Sequence, residues 1–248
     1  PRKEHKNAFY LHIGGFDPYN TAKTDTSSSL GAFYLIRRMY STEDAYQDTM
    51  VASYVGRPDR LQTYLDNIIM LLEFYDATML HEASNDLVLN HFDLKGKAHL
   101  IADTLSLQRE INPQTRSKVV KGLPPTPKNQ NYWIGCIQEY LGDIVDYEIN
   151  QYGESVPIYG YTRILDPLLL EELMQFNIDG NFDRIVAFGH ALAYNKSLGK
   201  YHIPQLRENY DPNQKKEEVK RKNPWSMFNS TTNNSQTKKS PFVFSKHG

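Results

Sequence analysis

Apolar residues fall along this chain in short continuous runs and in stretches of helical period, and the switches between them sketch a fold. Residues 8–16 (AFYLHIGGF) form an apolar run closed by glycines, with Asp17-Pro18-Tyr19-Asn20 behind it. Pro18 and Asn20 are turn formers, so the pattern predicts a strand running into a turn. Residues 21–29 are small and polar and read as an exposed loop. Two further runs, 31–40 (GAFYLIRRMY) and 49–56 (TMVASYVG), read as strands close enough to the first for an antiparallel meander. Arg57-Pro58-Asp59 then opens a helix reaching about Tyr75, in which Leu61, Tyr64, Leu65, Ile68, Ile69 and Leu72 share one face. The short apolar run 77–82 (ATMLHE) is compatible with a strand. A helix that crosses over to a strand implies parallel pairing with an earlier one. The order β-β-β-α-β predicts an α/β protein with a mixed sheet.

The second half is less regular. A strand is expected at 97–103, a helix over 130–149, a short strand at 156–160 and a helix at 166–176 with Pro167 in its first turn. A last helix begins near Asn181, a plausible N-cap, and carries Phe182, Ile185, Val186, Leu192 and Ala193. Beyond about residue 206 Lys, Asn, Ser and Thr dominate. Residues 1–206 are therefore expected to form the folded domain, and 207–248 a flexible basic tail. Trp225, Phe228, Phe242 and Phe244 are its possible docking anchors.

Charge and cysteine content narrow the chemistry. The net charge of −1 gives no global field for nucleic acid, so any such contact must come from local basic patches. The one cysteine, Cys136, rules out an intrachain disulfide and a cysteine-based zinc site, and reads as packed in a helix. No apolar run is long enough to span a bilayer, and the basic start PRKEHKN leads into no signal core. With no initiator Met, the chain is expected to be a fragment, a processed product or an excised domain.

Three acids stand at structurally similar places. Asp17 follows the first strand, Glu82 ends the strand after the helix, and Asp183 lies in the first turn of a late helix. Each has a plain reading: a turn aspartate, a solvated strand-end acid, and an acid held by the helix dipole. His81 and Asp86 are alternative ligands beside Glu82. If the first strand pairs with the post-helix strand, Asp17 and Glu82 become neighbours. Clustered carboxylates repel, and a divalent cation relieves that repulsion. Hard oxygen donors suit Mg²⁺ or Mn²⁺, and two such ions about 3.5–4 Å apart would serve phosphodiester hydrolysis. Arg57, Arg163 and Arg184 are candidate contacts to DNA phosphates, with surface arginine as the plain reading. His190, seven residues after Asp183, falls on the same helix face and is a further candidate against a packed histidine.

The segments FYLHIGGFDPY, ASYVGRP, MLHEASN and NFDRIVAFGHALA, spanning about residues 9 to 195, resemble the C-terminal nuclease domain of the large terminase subunit of tailed bacteriophages. That resemblance implies an RNase H-like fold, a mixed β-sheet flanked by helices. It implies a Mg²⁺- or Mn²⁺-dependent endonuclease that cuts concatemeric phage DNA during packaging, with Asp17, Glu82 and Asp183 as catalytic and metal-binding acids. Phe182 stands where many members carry a second adjacent aspartate, and Asp179 is the nearby acid that could complete the set. The implied partners are double-stranded DNA, the terminase ATPase, the small terminase subunit and the portal, in the host cytoplasm at the procapsid. No GxxxxGK[ST] motif occurs, so a nuclease half without its motor is expected. The competing expectations are an RNase H-like resolvase acting on branched DNA, and a non-catalytic packaging module.

Overall fold

The computed structural model describes residues 11–19, 29–38, 48–84, 86–114, 116, 121–177, 180 and 182–199. All lie in the first of two units into which the chain divides, residues 1–202 and 203–248. The expected tail at 207–248 lies outside the described residues, as do Asp179 and Asn181.

Three strands form the meander that the apolar runs predict. β1 (His12–Asp17) pairs antiparallel with β2 (Gly31–Arg37), and β2 pairs antiparallel with β3 (Thr49–Gly56). α1 (Leu61–Tyr75) then buries Leu61, Tyr64, Leu65, Ile68, Ile69 and Leu72, its whole expected apolar face. It ends at Asp76, whose left-handed φ of 53° lets its N–H reach the Glu73 carbonyl. The chain turns there into β4 (Thr78–His81), which runs parallel to β1 and gives the sheet order β3-β2-β1-β4. The protein is thus α/β, with a mixed sheet.

Helices cover both faces. α1 and α2 (Leu87–Leu94) pack on the face carrying Phe16, Phe33, Leu35 and Met79. On the other face α4 (Pro127–Gly142) and α6 (Asp183–Ser197) enclose Ile13, Tyr34, Ile36 and Leu80 with Trp133, Ile137, Tyr140 and Phe188. β1 alternates between the two, so Ile13, Gly15 and Asp17 point toward α6 while Phe16 points toward α1. Gly15 makes this layer possible. A Cβ there would collide with the Ala187 carbonyl and the Ala191 backbone nitrogen. Cys136 is buried in α4 as expected, and burial pushes its thiol up to about 11.

Several expectations need correction. Residues 97–103 are not a strand: Ala98–Leu100 form a 3₁₀ turn, and only Ile101 and Asp103 make single bridges, to Met79 and Lys121. That turn ends at Leu100 and the next helix begins at Leu105, leaving too short an extended segment for a ladder. The helix expected over 130–149 stops at Gly142. Residues Ile144–Ile149 form β5, paired antiparallel with β6 (Ser155–Tyr159) in a separate two-stranded sheet. Ile144 and Tyr147 continue the helical spacing of α4, but Ile144, Val145 and Ile149 are β-branched, and β6 supplies backbone partners to the segment on either side of an irregularity at Val145. α3 (Leu105–Ile111) lies in the stretch that reads as irregular. α5 (Pro167–Gln175) starts with Pro167 at its first turn, as expected, and Asp166 caps it through the Leu168 and Leu169 N–H groups. α6 begins at Asp183 with Phe182 in the cap position and no side-chain cap there.

Candidate metal centre

The parallel pairing of β1 with β4 decides where the first two acids stand. Asp17 is the last residue of β1 and Glu82 follows β4 directly. The Glu82 N–H donates to the Phe16 carbonyl at 2.9 Å, which locks the two strand ends side by side. Ala83 donates to the Leu123 carbonyl at 3.0 Å, so the backbone beyond Glu82 is also held. Strand alternation puts Asp17 on the side of Gly15, and Glu82 on the side of Leu80; both sides face α6. Because α6 lies directly on Gly15 through Ala187, the residue one turn earlier, Asp183, comes to the level of Asp17.

The electrostatics reflect this grouping. Burial raises the Asp17 carboxyl well above its ordinary range, and the charges of Glu82 and Asp183 raise it further. Glu82 is raised as well, first by burial and then by Asp183. Asp183 is held otherwise: its Oδ1 accepts from the Ser29 hydroxyl at 3.1 Å and its Oδ2 from the Leu30 N–H at 2.7 Å. The Arg57 guanidinium lies 5.0 Å from the Tyr19 ring centre and donates to the Ser29 carbonyl at 2.5 Å, so residues 29–30 are fixed from both sides. Among the described residues no three His, Cys, Asp or Glu side chains converge on a single ion position. The acids are grouped by charge and by fold, while Asp183 is turned onto the backbone leading into β2.

In kind, the donor set fits a hard divalent cation. Asp17 is 8 % exposed, its charged form is disfavoured by burial and by like-charged neighbours, and all three groups offer carboxylate oxygen. Asp17 and Glu82 would be the fixed ligands. Asp183 would join them through carboxylate lone pairs that the Ser29 and Leu30 hydrogen bonds leave over, or by exchanging those bonds for the ion.

The other candidates divide. Arg57 stays at this end of the sheet, bound to Ser29. Arg184 is instead enclosed with Asp166 at 3.2 Å, Glu172 at 3.1 Å and the Tyr34 hydroxyl at 3.3 Å, so it braces α5 against α6 and β2 rather than meeting phosphate. Arg163 sits over the Tyr140 ring and beside Asp143 at 3.7 Å, with its side chain 13 % exposed. His190 is not a DNA contact: it is fully buried against Trp133, its Nδ1 pairs with the Val186 carbonyl at 2.7 Å, and burial lowers it to about 4. Its seven-residue spacing from Asp183 is right for one face, but that face packs inward. His81 is also interior: Gly122 packs on its ring, its Nδ1 has no hydrogen-bond partner among the described residues, and burial lowers it to about 3. Asp86 is exposed at the start of α2.

Sequence reasoning passed over Ser29 and Leu30. They sit at the end of a polar stretch that reads as loop, and their partner lies far along the chain, so no local pattern signals it. No helix among the described residues is long and apolar enough to cross a membrane. No protein-family model matches this chain, and neither does any curated protein or any solved structure.

Proposed function

We propose that this chain is a Mg²⁺- or Mn²⁺-dependent DNA endonuclease with an RNase H-like core, of the kind that cuts concatemeric phage DNA during packaging. One observation carries the reading: the parallel β1–β4 pairing sets Asp17 beside Glu82 at one end of the sheet, and α6 brings Asp183 to the same end. The meander followed by a helical crossover supports the RNase H-like assignment. Asp17, Glu82 and Asp183 would hold the metal, with Asp179 as a further candidate ligand. Two divalent ions held there would supply activation of an attacking water and stabilisation of charge on the leaving oxygen. The protein's own contribution is placement. Asp17 and Glu82 sit on paired strands, so their carboxylates are held without a loop having to order. Burial and mutual repulsion keep both poised to gain from a cation. Arg57 orders the segment that Asp183 holds. The partners of such an enzyme are duplex DNA, a terminase ATPase, a small terminase subunit and a portal, in the host cytoplasm.

A second reading has its own support. The two hydrogen bonds from Ser29 and Leu30 satisfy Asp183 as a structural tie between α6 and β2, as they would in a non-catalytic packaging module. The test is cleavage of supercoiled plasmid with Mg²⁺ or Mn²⁺ and an EDTA control, comparing the wild type with Asp17→Ala, Glu82→Ala and Asp183→Ala. Cleavage lost in all three, with calorimetry showing weaker Mn²⁺ binding, is the expected result. Equal cutting by all four proteins removes the site assignment. Absence of wild-type cleavage favours the non-catalytic module, and preference for a four-way junction over linear duplex favours a resolvase.

A further inference from the structure

The β5–β6 hairpin carries an exposed apolar face that neither the sheet nor the acid cluster uses. The register pairs Tyr147 with Pro157, Ile149 with Ser155, and Ile144 with Tyr159. Alternation therefore gathers Tyr147, Ile149, Pro157 and Tyr159 on one side, and Asp146 and Glu148 with Val156 and Ile158 on the other. Tyr147 is 57 % exposed and Ile149 71 % exposed. Tyr161 continues the apolar face, its ring stacked 6.5 Å from that of Tyr159.

The base of this hairpin is stiff. β5 leaves α4 directly, and Gly160 returns the chain so closely that a Cβ there would collide with the Tyr140 carbonyl. Its N–H donates to the Asp143 carbonyl at 2.8 Å. A two-stranded hairpin with both faces in water is marginally stable at best. A hairpin held rigidly at its base with apolar side chains outward is a preformed edge for another chain.

Charge selects the occupant. From residue 143 to residue 162 the acids are Asp143, Asp146, Glu148 and Glu154, and no Lys, Arg or His occurs. Arg163, just beyond, is already beside Asp143. Nucleic acid would be repelled, and so would the same hairpin of a second copy. β6 contains Pro157, which lacks an N–H and blunts that strand as an edge. On β5 the Tyr147 N–H is held by the Asp146 side chain at 2.8 Å, a local bond that an incoming carbonyl can replace.

We infer that the outer edge of β5 accepts an extended segment of a partner protein, one in which Lys or Arg alternates with apolar residues. Added as a strand, its apolar side chains lie beside Tyr147 and Ile149, and its basic side chains beside Asp146 and Glu148. The period-two pattern of the ligand thus matches the two faces of the hairpin. Tyr147 also offers a ring face to a neighbouring cation.

The experiment uses the full chain and a fluorescent peptide of alternating Lys and Val, followed by anisotropy. A peptide of the same composition in two blocks, and one of alternating Glu and Val, are the controls. Binding of the alternating basic peptide only is expected, weakened about tenfold or more by Tyr147→Ser with Ile149→Ser and likewise by Asp146→Asn with Glu148→Gln. Asp17→Asn should leave it unchanged. Circular dichroism verifies that the surface variants stay folded. Equal binding of the blocked peptide, or affinity indifferent to all four hairpin substitutions, overturns the inference. So does direct binding of labelled duplex DNA that is lost in the Tyr147→Ser with Ile149→Ser variant, or a dimer in sedimentation that Ile149→Ser dissolves.

Discussion

Gly15 lies against Ala187 so closely that a Cβ on the glycine would collide with the Ala187 carbonyl oxygen. This contact lets α6 rest on β1, and it sets the height of Asp183 relative to Asp17. Gly15→Ala must push the helix outward at a fully packed layer. A loss of about 1–3 kcal/mol or more is expected in denaturant unfolding. Gly56→Ala, where nothing lies within 4 Å, is the neutral control on the same sheet. If both substitutions cost the same, the close approach of α6 is not as described.

The raised carboxyls of Asp17 and Glu82 give a stability effect of definite sign. A carboxyl raised in the folded state binds its proton more tightly there than in the unfolded chain. Its contribution is therefore full below the ordinary carboxyl range and is lost as pH rises through the raised value. Asp17→Asn removes the charge that burial, Glu82 and Asp183 oppose. At neutral pH it should raise Tm by a few degrees, on the order of 2–4 °C per kcal/mol gained. The gap to wild type should close as pH falls. Saturating Mn²⁺ should raise the wild-type Tm at neutral pH and raise that of Asp17→Asn much less. A variant that melts below wild type at neutral pH would contradict the repulsion.

Ser29 competes with any cation for Asp183. Ser29→Ala removes the Ser29 hydrogen bond to that carboxylate, at a cost of about 0.5–1.5 kcal/mol in stability. With that bond gone, the Asp183 carboxylate should bind metal more readily. Calorimetric titration of Mn²⁺ is expected to show tighter binding in Ser29→Ala and weaker binding in Asp183→Ala. Weaker binding in both would mean that Ser29 supports the ligand geometry rather than opposing it.

His81 and His190 act on acid stability in the opposite direction from the carboxyls. Burial lowers them to about 3 and about 4, from an ordinary value of 6.5. The unfolded chain binds their protons first, so the stability they lend is present above about pH 6.5 and is lost as pH falls toward 4. His190→Gln should flatten that part of the stability curve. Proton NMR of the folded chain should find neither ring titrating between pH 7 and about 5. A His190 midpoint near its ordinary value would mean that the ring is open to water.

Arg184 tests its own placement. It holds Asp166 and Glu172 in a partly buried cluster with the Tyr34 hydroxyl, which itself donates to Asp166 at 2.6 Å. Arg184→Ala leaves two acids without their cation and should cost about 1–3 kcal/mol. Nonspecific DNA affinity of the folded variant should match wild type, and its salt dependence should not change. A shallower salt slope would restore Arg184 as a phosphate contact.

Local pattern was enough for part of this molecule. Apolar runs bounded by glycines and polar turn residues set out β1, β2 and β3, and the helical spacing from Leu61 to Leu72 set out α1, because both signals lie within one element. The adjacency of Asp17 and Glu82 followed too, since a helical crossover leaves few choices beyond parallel pairing. β5 was not legible: Ile144 and Tyr147 continue the helical period of α4, and only pairing with β6 makes that segment a strand. His190 shared the spacing of Asp183, yet its surroundings were set by Trp133 and by the descent of α6 onto Gly15. The bonds from Ser29 and Leu30 to Asp183 join residues far apart in the chain, and no local period encodes such a contact. Sequence therefore determined which residues form apolar runs, which repeat every turn, and which acids stand at the ends of elements. Tertiary packing alone decided which of those side chains face one another, because that depends on how closely helix and sheet can approach.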